Sequence, residues 1–409
     1  MRQAVKWIHA GWVVDGTGAS PRRHMLLGMQ NGSIVSLEST ACGTPDPEET
    51  YDLSDCLLLP GLIDCHVHLF MSGSSNPSLR ESQQHMTFAD AAREMEHRLE
   101  RSLSCGVVAV RDGGDARGHA LRYKKEHCDS DAVWVQIKAA GPAWHRKGRY
   151  GKFIGRSPGA GETLAESIRG ARQDADHVKI INSGINSLSS FGTETPPQFS
   201  TEELQQAVSA AHRLARPVMV HANGKKPVEG AILSGCNSIE HGFFMGEENL
   251  KRMADSGIFW VPTATPMQAY LRIMTRMLDN DIPGSGFEPN AFRTGMDVAR
   301  RTLDHQLEQM RKARDLGILL AAGTDAGSLG VHHGSALREE IRLLKTAGYS
   351  IAEAVQCATQ NNARLLGLDH SGVIAKGMAA TVVAVPGGPQ DLPDSLERIQ
   401  AVVVRGIKQ

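Results

Sequence analysis

The sequence predicts an α/β protein: a (β/α)8 barrel over residues 61–371, carrying a small β-sandwich domain made from both chain ends, residues 1–60 with 372–409. Three observations predict it. Short apolar runs alternate with amphipathic helical stretches through the middle of the chain, the pattern of strand–helix units that close into a parallel barrel. Both ends lack helical periodicity and read as short strands. Histidines and an aspartate fall at the ends of the apolar runs, where loops of such a barrel gather functional groups.

The N-terminal end reads as Lys6–Ala10, then Trp12–Gly18 closed by a turn, then Gly32–Leu37 after an Asn31-Gly32 hairpin turn. The C-terminal end repeats the style in Ala380–Pro386 and Ala401–Gly406. Between them the predicted strands are Leu62–His68, Val107–Arg111, Trp134–Lys138, Val178–Asn182, Val218–His221, Ser238–His241, Ile258–Pro262 and Ile318–Asp325. Helical stretches include Phe88–Ser104, Leu164–Asp174, Glu202–Leu214 and Ala291–Leu316. The step from His221 to His241, 20 residues, leaves room for a helix of only one or two turns. Gly141–Gly161, Gly-rich and basic, and Thr263–Asn290, with Met267, Met274 and Met277, read as long loops.

Charge is balanced, 44 basic against 45 acidic residues for a net −1, which gives no electrostatic case for nucleic acid or an anionic membrane. The seven cysteines (Cys42, Cys56, Cys65, Cys105, Cys128, Cys236, Cys357) are odd in number and scattered, and read as reduced thiols. No apolar run approaches the ~20 residues that span a bilayer, and Met1–Trp7 shows no signal-peptide core. A cytoplasmic protein acting on a small molecule is expected.

His66 and His68 end an apolar run as His-x-His. Residues i and i+2 of a strand share a face, so both imidazoles can grip one ion. Alone, the pair is equally well read as two satisfied strand histidines. Lys179 sits among β-branched residues in His177-Val178-Lys179-Ile180-Ile181. Taken by itself it is best read as pairing with Asp325 or Asp176; the sharper reading is a CO2-derived carbamate, an anion able to bridge two metals. His221, His241 and Asp325 each end an apolar run with small residues after them. Asp325, beside the first strand in a closed barrel, would reach an ion held by His66 and His68 and would accept a proton from water. Its alternative role is to cap the next helix through Ser328 or Gly327.

These residues carry a resemblance. Pro60–His68, Val110-Arg111-Asp112-Gly113-Gly114, Val178-Lys179-Ile180, His221-Ala222-Asn223-Gly224, Ile239-Glu240-His241-Gly242, Gly323–Gly327 and Ala354–Leu368 follow in an order that resembles the amidohydrolase superfamily over essentially the whole chain. The branch it is similar to holds imidazolonepropionases, Xaa-Pro dipeptidases and related carboxypeptidases. The resemblance implies two divalent metals, usually zinc: one held by His66, His68 and Asp325, the other by His221 and His241, with carbamylated Lys179 and a hydroxide between them. It implies cleavage of an amide bond in a dipeptide or N-acyl amino acid, with Asp325 as proton shuttle, and a homo-oligomer.

The departures concern substrate. Where relatives carry Gly-Gly-His after the third strand, this chain reads Gly148-Arg149-Tyr150-Gly151, so Tyr150 is either a donor to substrate or a rim aromatic. Asn223 stands at a position often aromatic or His in relatives, and Lys226 after it is either a point charge for a substrate carboxylate or a solvated helix start. Cyclic-amide, imidazolone or lactone hydrolysis is the alternative activity. Deamination is disfavoured by Gly224, where deaminases place Glu, and a non-catalytic scaffold by the complete set of six ligands.

Overall fold

The computed structural model describes residues 4–43, 50–127, 134–171, 174–279 and 289–409. Cys128 therefore lies outside the described residues, as do residues 280–288 of the stretch expected to be a loop over Thr263–Asn290. Strands from both chain ends share one seven-stranded sheet, in the order Ile407–Lys408, Ala401–Val404, Val382–Pro386, Thr50–Pro60, Lys6–Val13, Arg22–Gln30, Ser33–Ser39. Val382–Pro386 runs antiparallel to Thr50–Pro60, and Lys6–Val13 runs parallel to it. The Asn31-Gly32 turn forms as expected, with φ of 51° and 75° linking strands paired at Gln30 and Ser33.

Alternation along Leu57-Leu58-Leu59 shows how this sheet is held. Leu57 and Leu59 enter the main core with Val383 and Val385, whereas Leu58 joins Ile8, Leu27, Val382 and Ala384 in a second cluster. Both faces are thus covered, which a period of two permits only when each face meets apolar neighbours. Among the described residues the ends form this one hydrogen-bonded sheet, not two.

The middle of the chain is α/β with parallel strands. Leu62–Val67, Val107–Asp112 and Gln136–Ala139 form a three-stranded sheet. Val178–Ile181, Val218–Ala222, Ser238–His241 and Phe259–Val261 form a second, extended by the short pair Ala143–Trp144 and Gly155–Arg156 from within the Gly-rich stretch. Asp176 N donates to Ala139 O (3.0 Å) between the two sheets. On the other side the expected eighth strand is reduced to bridges, Trp260 with Leu320 and Val67 with Ala326. Its ladder is diverted: Asn361 Nδ2 donates to Leu320 O (2.7 Å), Asn362 Nδ2 to Ala322 O (2.7 Å), and Ala322 N to Cys357 O (3.0 Å). Cys65 N still donates to Ala322 O (3.0 Å) and Asp325 N to His66 O (2.7 Å), which fixes Asp325 against the first strand.

Helices Phe88–Ser104 and Thr201–Arg213 form where expected, the first capped by Thr87 and the second by a Ser200/Glu203 capping box. Thr265–Asp279, expected as loop, is a helix. The reason is non-local: the buried Glu340 carboxylate accepts from Ala264 N (3.0 Å), Thr265 N (2.9 Å) and Thr265 Oγ1 (2.5 Å), capping that helix from 75 residues away. Lys225–Leu233 supplies the short helix between His221 and His241.

Candidate metal centre

Each expected ligand reaches the site by a local rule. His66 lies on the strand Leu62–Val67 and His68 one residue past its end, so at i and i+2 their Nε2 atoms both reach Asp325 Oδ1. Lys179 pairs in register with Met219, Ile181 with His221, and His221 with Glu240, so Lys179, His221 and Glu240 share one face of the second sheet. His241 pairs with Ala222, on the other parity; its φ of +68° re-aims it. Asp325 also has positive φ, +56°. Two strained non-glycine residues among the expected ligands mark the place where backbone comfort gives way to side-chain placement.

The structure brings His66, His68 and Asp325 together, with candidate ligand atoms all within 4.8 Å of one another. Asp325 Oδ1 lies 3.6 Å from His66 Nε2 and 3.4 Å from His68 Nε2. The His221 and His241 rings pack edge to face at 4.5 Å, and His241 lies 5.0 Å from His66. The other ring nitrogens are held from outside: His66 Nδ1 by Glu240 Oε2 (2.8 Å), His68 Nδ1 by Gly114 O (2.9 Å), and His241 Nδ1 by Thr263 Oγ1 (2.6 Å). Such contacts fix ring orientation and aim Nε2 inward. His221 differs, with Nε2 on Gly184 O (3.0 Å).

Burial dominates the electrostatics. It lowers His68 to about 4 and His221 to about 3, and takes His66 and His241 well below the usual imidazole range. All four are neutral at pH 7, the form a metal needs. Burial raises Asp325 to about 6, against the pull of the Ser328 hydroxyl (2.8 Å) and of Lys179. Ser328 is held by the other carboxylate oxygen, but no helix begins there: the next helix, Ser335–Thr346, has Gly334 at its N-cap, so the alternative helix-capping role of Asp325 does not form.

Lys179 is 1% exposed and its Nζ has no hydrogen-bond partner. Neither expected ion pair forms; Asp176 is bound by Lys124 (2.6 Å) and approached by Lys138. Burial, only partly offset by the Glu240 charge, lowers Lys179 to about 8. An amine so placed is unfavourable as an ammonium and nucleophilic when neutral, which fits a group that reacts with CO2.

Of the expected substrate residues, Tyr150 overhangs the site, its ring 5.6 Å from His221. Although 44% of Tyr150 is exposed, burial around it, followed by the Asp325 charge, pushes its hydroxyl up to about 12. Asn223 is buried and staples loops: its Oδ1 accepts from Phe243 N (3.1 Å) and its N donates to Ser183 Oγ (2.9 Å). Lys226 is exposed on its helix and is not among the residues gathered at the centre.

Sequence reasoning missed the support beneath the ligands. Arg111 Nη2 grips both oxygens of Glu240 (2.9 and 3.1 Å), its Nε donates to Cys65 O (2.7 Å), and Ser238 Oγ donates to Glu240 (2.5 Å). Asp64 accepts from Thr324 Oγ1 (2.6 Å), Thr324 N (3.0 Å) and His66 N (3.2 Å), tying the first strand to the turn before Asp325. The available signal was the charge itself: Asp64, Arg111 and Glu240 interrupt apolar runs that a buried parallel strand keeps apolar.

A family model described as the amidohydrolase family matches residues 57–407. Ochratoxinase from Aspergillus niger is 25% identical over 417 residues, covering 93% of this chain and 81% of that protein. Imidazolonepropionase from Paracidovorax citrulli is 24% identical over 362 residues, covering 81% and 76%. Among solved structures, a Xaa-Pro dipeptidase with methionine bound in its active site superposes with a TM-score of 0.80 at 26% identity, over 99% of this chain and 100% of that one.

Proposed function

This chain belongs to the amidohydrolase family, and from that premise we propose that it is a metal-dependent hydrolase of an amide C–N bond in a dipeptide or N-acyl amino acid. One observation carries the reading: His66, His68 and Asp325 converge beside a buried lysine amine that no protein group satisfies. The likeness to a Xaa-Pro dipeptidase favours dipeptides. The imidazolonepropionase relative keeps cyclic amides, with lactones, as the second reading.

The donor set of neutral imidazoles with one carboxylate suits zinc: His66, His68 and Asp325 would hold one ion and His221 and His241 a second, and Lys179, once carbamylated, would add a further anionic ligand. When bound, such ions polarise a carbonyl and lower the pKa of water toward ~7. Within the chain, Asp325 Oδ1 takes the proton of the attacking water and passes it to the leaving nitrogen, while Ser328 steadies Oδ2. The Tyr150 hydroxyl stands over the same space to donate to the substrate oxygen. Arg111 and Glu240 hold His66 in one tautomer. His221 must release Gly184 O or bind through Nδ1.

The same reading closes the parallel segments into an eight-membered (β/α)8 ring, supported by the bonds from Asp176 to Ala139, from Trp260 to Leu319, and from Cys65 to Ala322. It takes the seven-stranded sheet as the family's small β-sandwich domain, and the protein as a cytoplasmic homo-oligomer. Among the described residues no helix is long and apolar enough to cross a membrane. The test is metal analysis of loaded protein with a hydrolysis screen of dipeptides, N-acyl amino acids, cyclic amides and lactones. About two metals per chain with amide turnover supports the proposal; one tight metal, or lactone turnover alone, sinks it.

A further inference from the structure

We propose that Arg80 reads a free carboxylate on the leaving-amine side of the substrate, so that the site selects N-acyl amino acids and dipeptides over the matching uncharged amides; this rests on the amide-hydrolase reading above. Arg80 lies on the short helix Pro77–Gln83, in the connection that follows the His66-x-His68 strand. Asn76 caps that helix through Ser78 N (3.0 Å) and is itself tied to Ser74 Oγ (3.1 Å), so the helix is set by its own loop. Arg80 Nη1 donates to Gly327 O (3.1 Å) and more weakly to Ser74 O (3.4 Å).

Gly327 is two residues beyond Asp325 and is pressed on the first connection: a Cβ there would lie 2.7 Å from His68 O and 2.8 Å from Met71 Cβ. The next residue, Ser328, donates to Asp325 Oδ2. The guanidinium therefore stands one residue from the Ser328–Asp325 pair, and the charges of Arg80 and Asp325 act on each other. Among the described residues no carboxylate lies within 4.0 Å of Arg80, and its Nε and Nη2 make no hydrogen bond. The more deeply buried arginines are paired, Arg111 with Glu240 and Arg98 with Glu94, whereas Arg156, which also lacks a carboxylate, lies over the Trp144 ring. A half-buried guanidinium with one edge spent on carbonyls and the other unpaired is a fork shaped for a carboxylate.

Its position also suits the chemistry. Asp325 must deliver a proton to the leaving nitrogen, and in an amino-acid leaving group the α-carboxylate is attached to the carbon next to that nitrogen. The anion site therefore has to adjoin Asp325, where Arg80 stands. Lys226, expected from sequence to fill this role, is out on the surface of Lys225–Leu233.

The test uses metal-loaded protein and two non-hydrolysable probes, L-methionine and L-methioninol, titrated calorimetrically into wild type, Arg80→Met and Arg80→Lys. A charge-assisted pair predicts that wild type prefers methionine by about 10- to 150-fold. Arg80→Met should erase that preference without changing methioninol binding, and Arg80→Lys should restore part of it. Equal binding of both probes to wild type, or a preference that survives in Arg80→Met, overturns the assignment. Equal weakening of both probes in Arg80→Met also overturns it, because a residue that only clamps the loop acts on both alike. Turnover of N-acetylmethionine and its amide is measured in parallel: failure of wild type to hydrolyse either removes the amide-hydrolase reading, while the binding preference is judged on its own data.

Discussion

Glu240→Gln exchanges one oxygen for an NH2 group in a side chain that solvent does not reach, and its consequences can be worked from four contacts. Glu240 accepts from Arg111 Nη2 at 2.9 and 3.1 Å, from Ser238 Oγ at 2.5 Å, and meets His66 Nδ1 at 2.8 Å. All three partners are donors here, so an amide nitrogen in place of either oxygen faces another donor. The buried Arg111 charge keeps Cys65 O, Ser238 Oγ and the remaining amide oxygen as acceptors, but no anion faces it. Removing one member of a buried ion pair costs about 3–5 kcal/mol, because the remaining charge is left uncompensated. Against a typical total of about 5–15 kcal/mol, that is a large share of the stability.

The double variant with Arg111→Met removes the orphaned charge as well. It should be more stable than the sum of the single variants by about 2 kcal/mol or more, since contacting groups couple. Urea unfolding of chelated, metal-free wild type, both single variants and the double variant supplies the cycle. A second readout is separate from stability: without the acceptor on Nδ1, His66 loses its fixed orientation, and metal affinity should fall about 10- to 100-fold. If Glu240→Gln shifts stability by less than about 1 kcal/mol and binds zinc like wild type, the account of this network is wrong.

Asp325→Asn should keep the fold and lower kcat by about 100- to 10,000-fold, the range for losing a general acid–base; near-wild-type steady-state rates would place the proton transfer elsewhere. Lys179→Met replaces an unsatisfied buried amine by a side chain of similar length, so metal-free protein should melt no lower than wild type. Metal analysis should nevertheless find the two-metal occupancy lost, and a variant that still binds two ions would refute a bridging role for Lys179. Glu340 gives a pH test away from the centre. Burial raises it from 4.5 to about 7, so the folded state binds the extra proton and stability from this group falls as pH rises through that window. The penalty of Glu340→Gln, measured by urea unfolding, should therefore shrink between pH 4.5 and 7; a penalty that grows would show that its helix-capping bonds outweigh desolvation.

What the sequence made legible was whatever depends on local period. The i, i+2 pairing of His66 and His68, the Asn31-Gly32 turn and the capped helix Phe88–Ser104 follow from spacing and turn chemistry alone. What stayed hidden depends on partners distant in sequence. The helix Thr265–Asp279 owes its start to Glu340, and the segment before Asp325 gives its ladder bonds to Asn361 and Asn362. Neither leaves a mark on the local pattern. Lys226 looked functional because its position follows His221, but a helix start turns it outward; Arg80 gave no sequence signal because its neighbour Gly327 is 247 residues away.

The centre is an arrangement that folding alone would not favour, and the compensation is visible around it. Of the six groups with shifted protonation, two of them on strained backbone, four are held by contacts made on the side away from the centre: Glu240 on His66, Gly114 on His68, Thr263 on His241 and Ser328 on Asp325. Burial removes the histidine charges, which a protein with no use for ligands would gain nothing from. Lys179 is the exception that orders the rest, since it alone has no outer contact and no inner one. Other buried polar atoms among the described residues also lack a partner, but Lys179 is the one among the expected ligands, so a chain that spends a buried Arg111–Glu240 pair on orienting one imidazole and leaves this amine unsatisfied fits the carbamate proposed above.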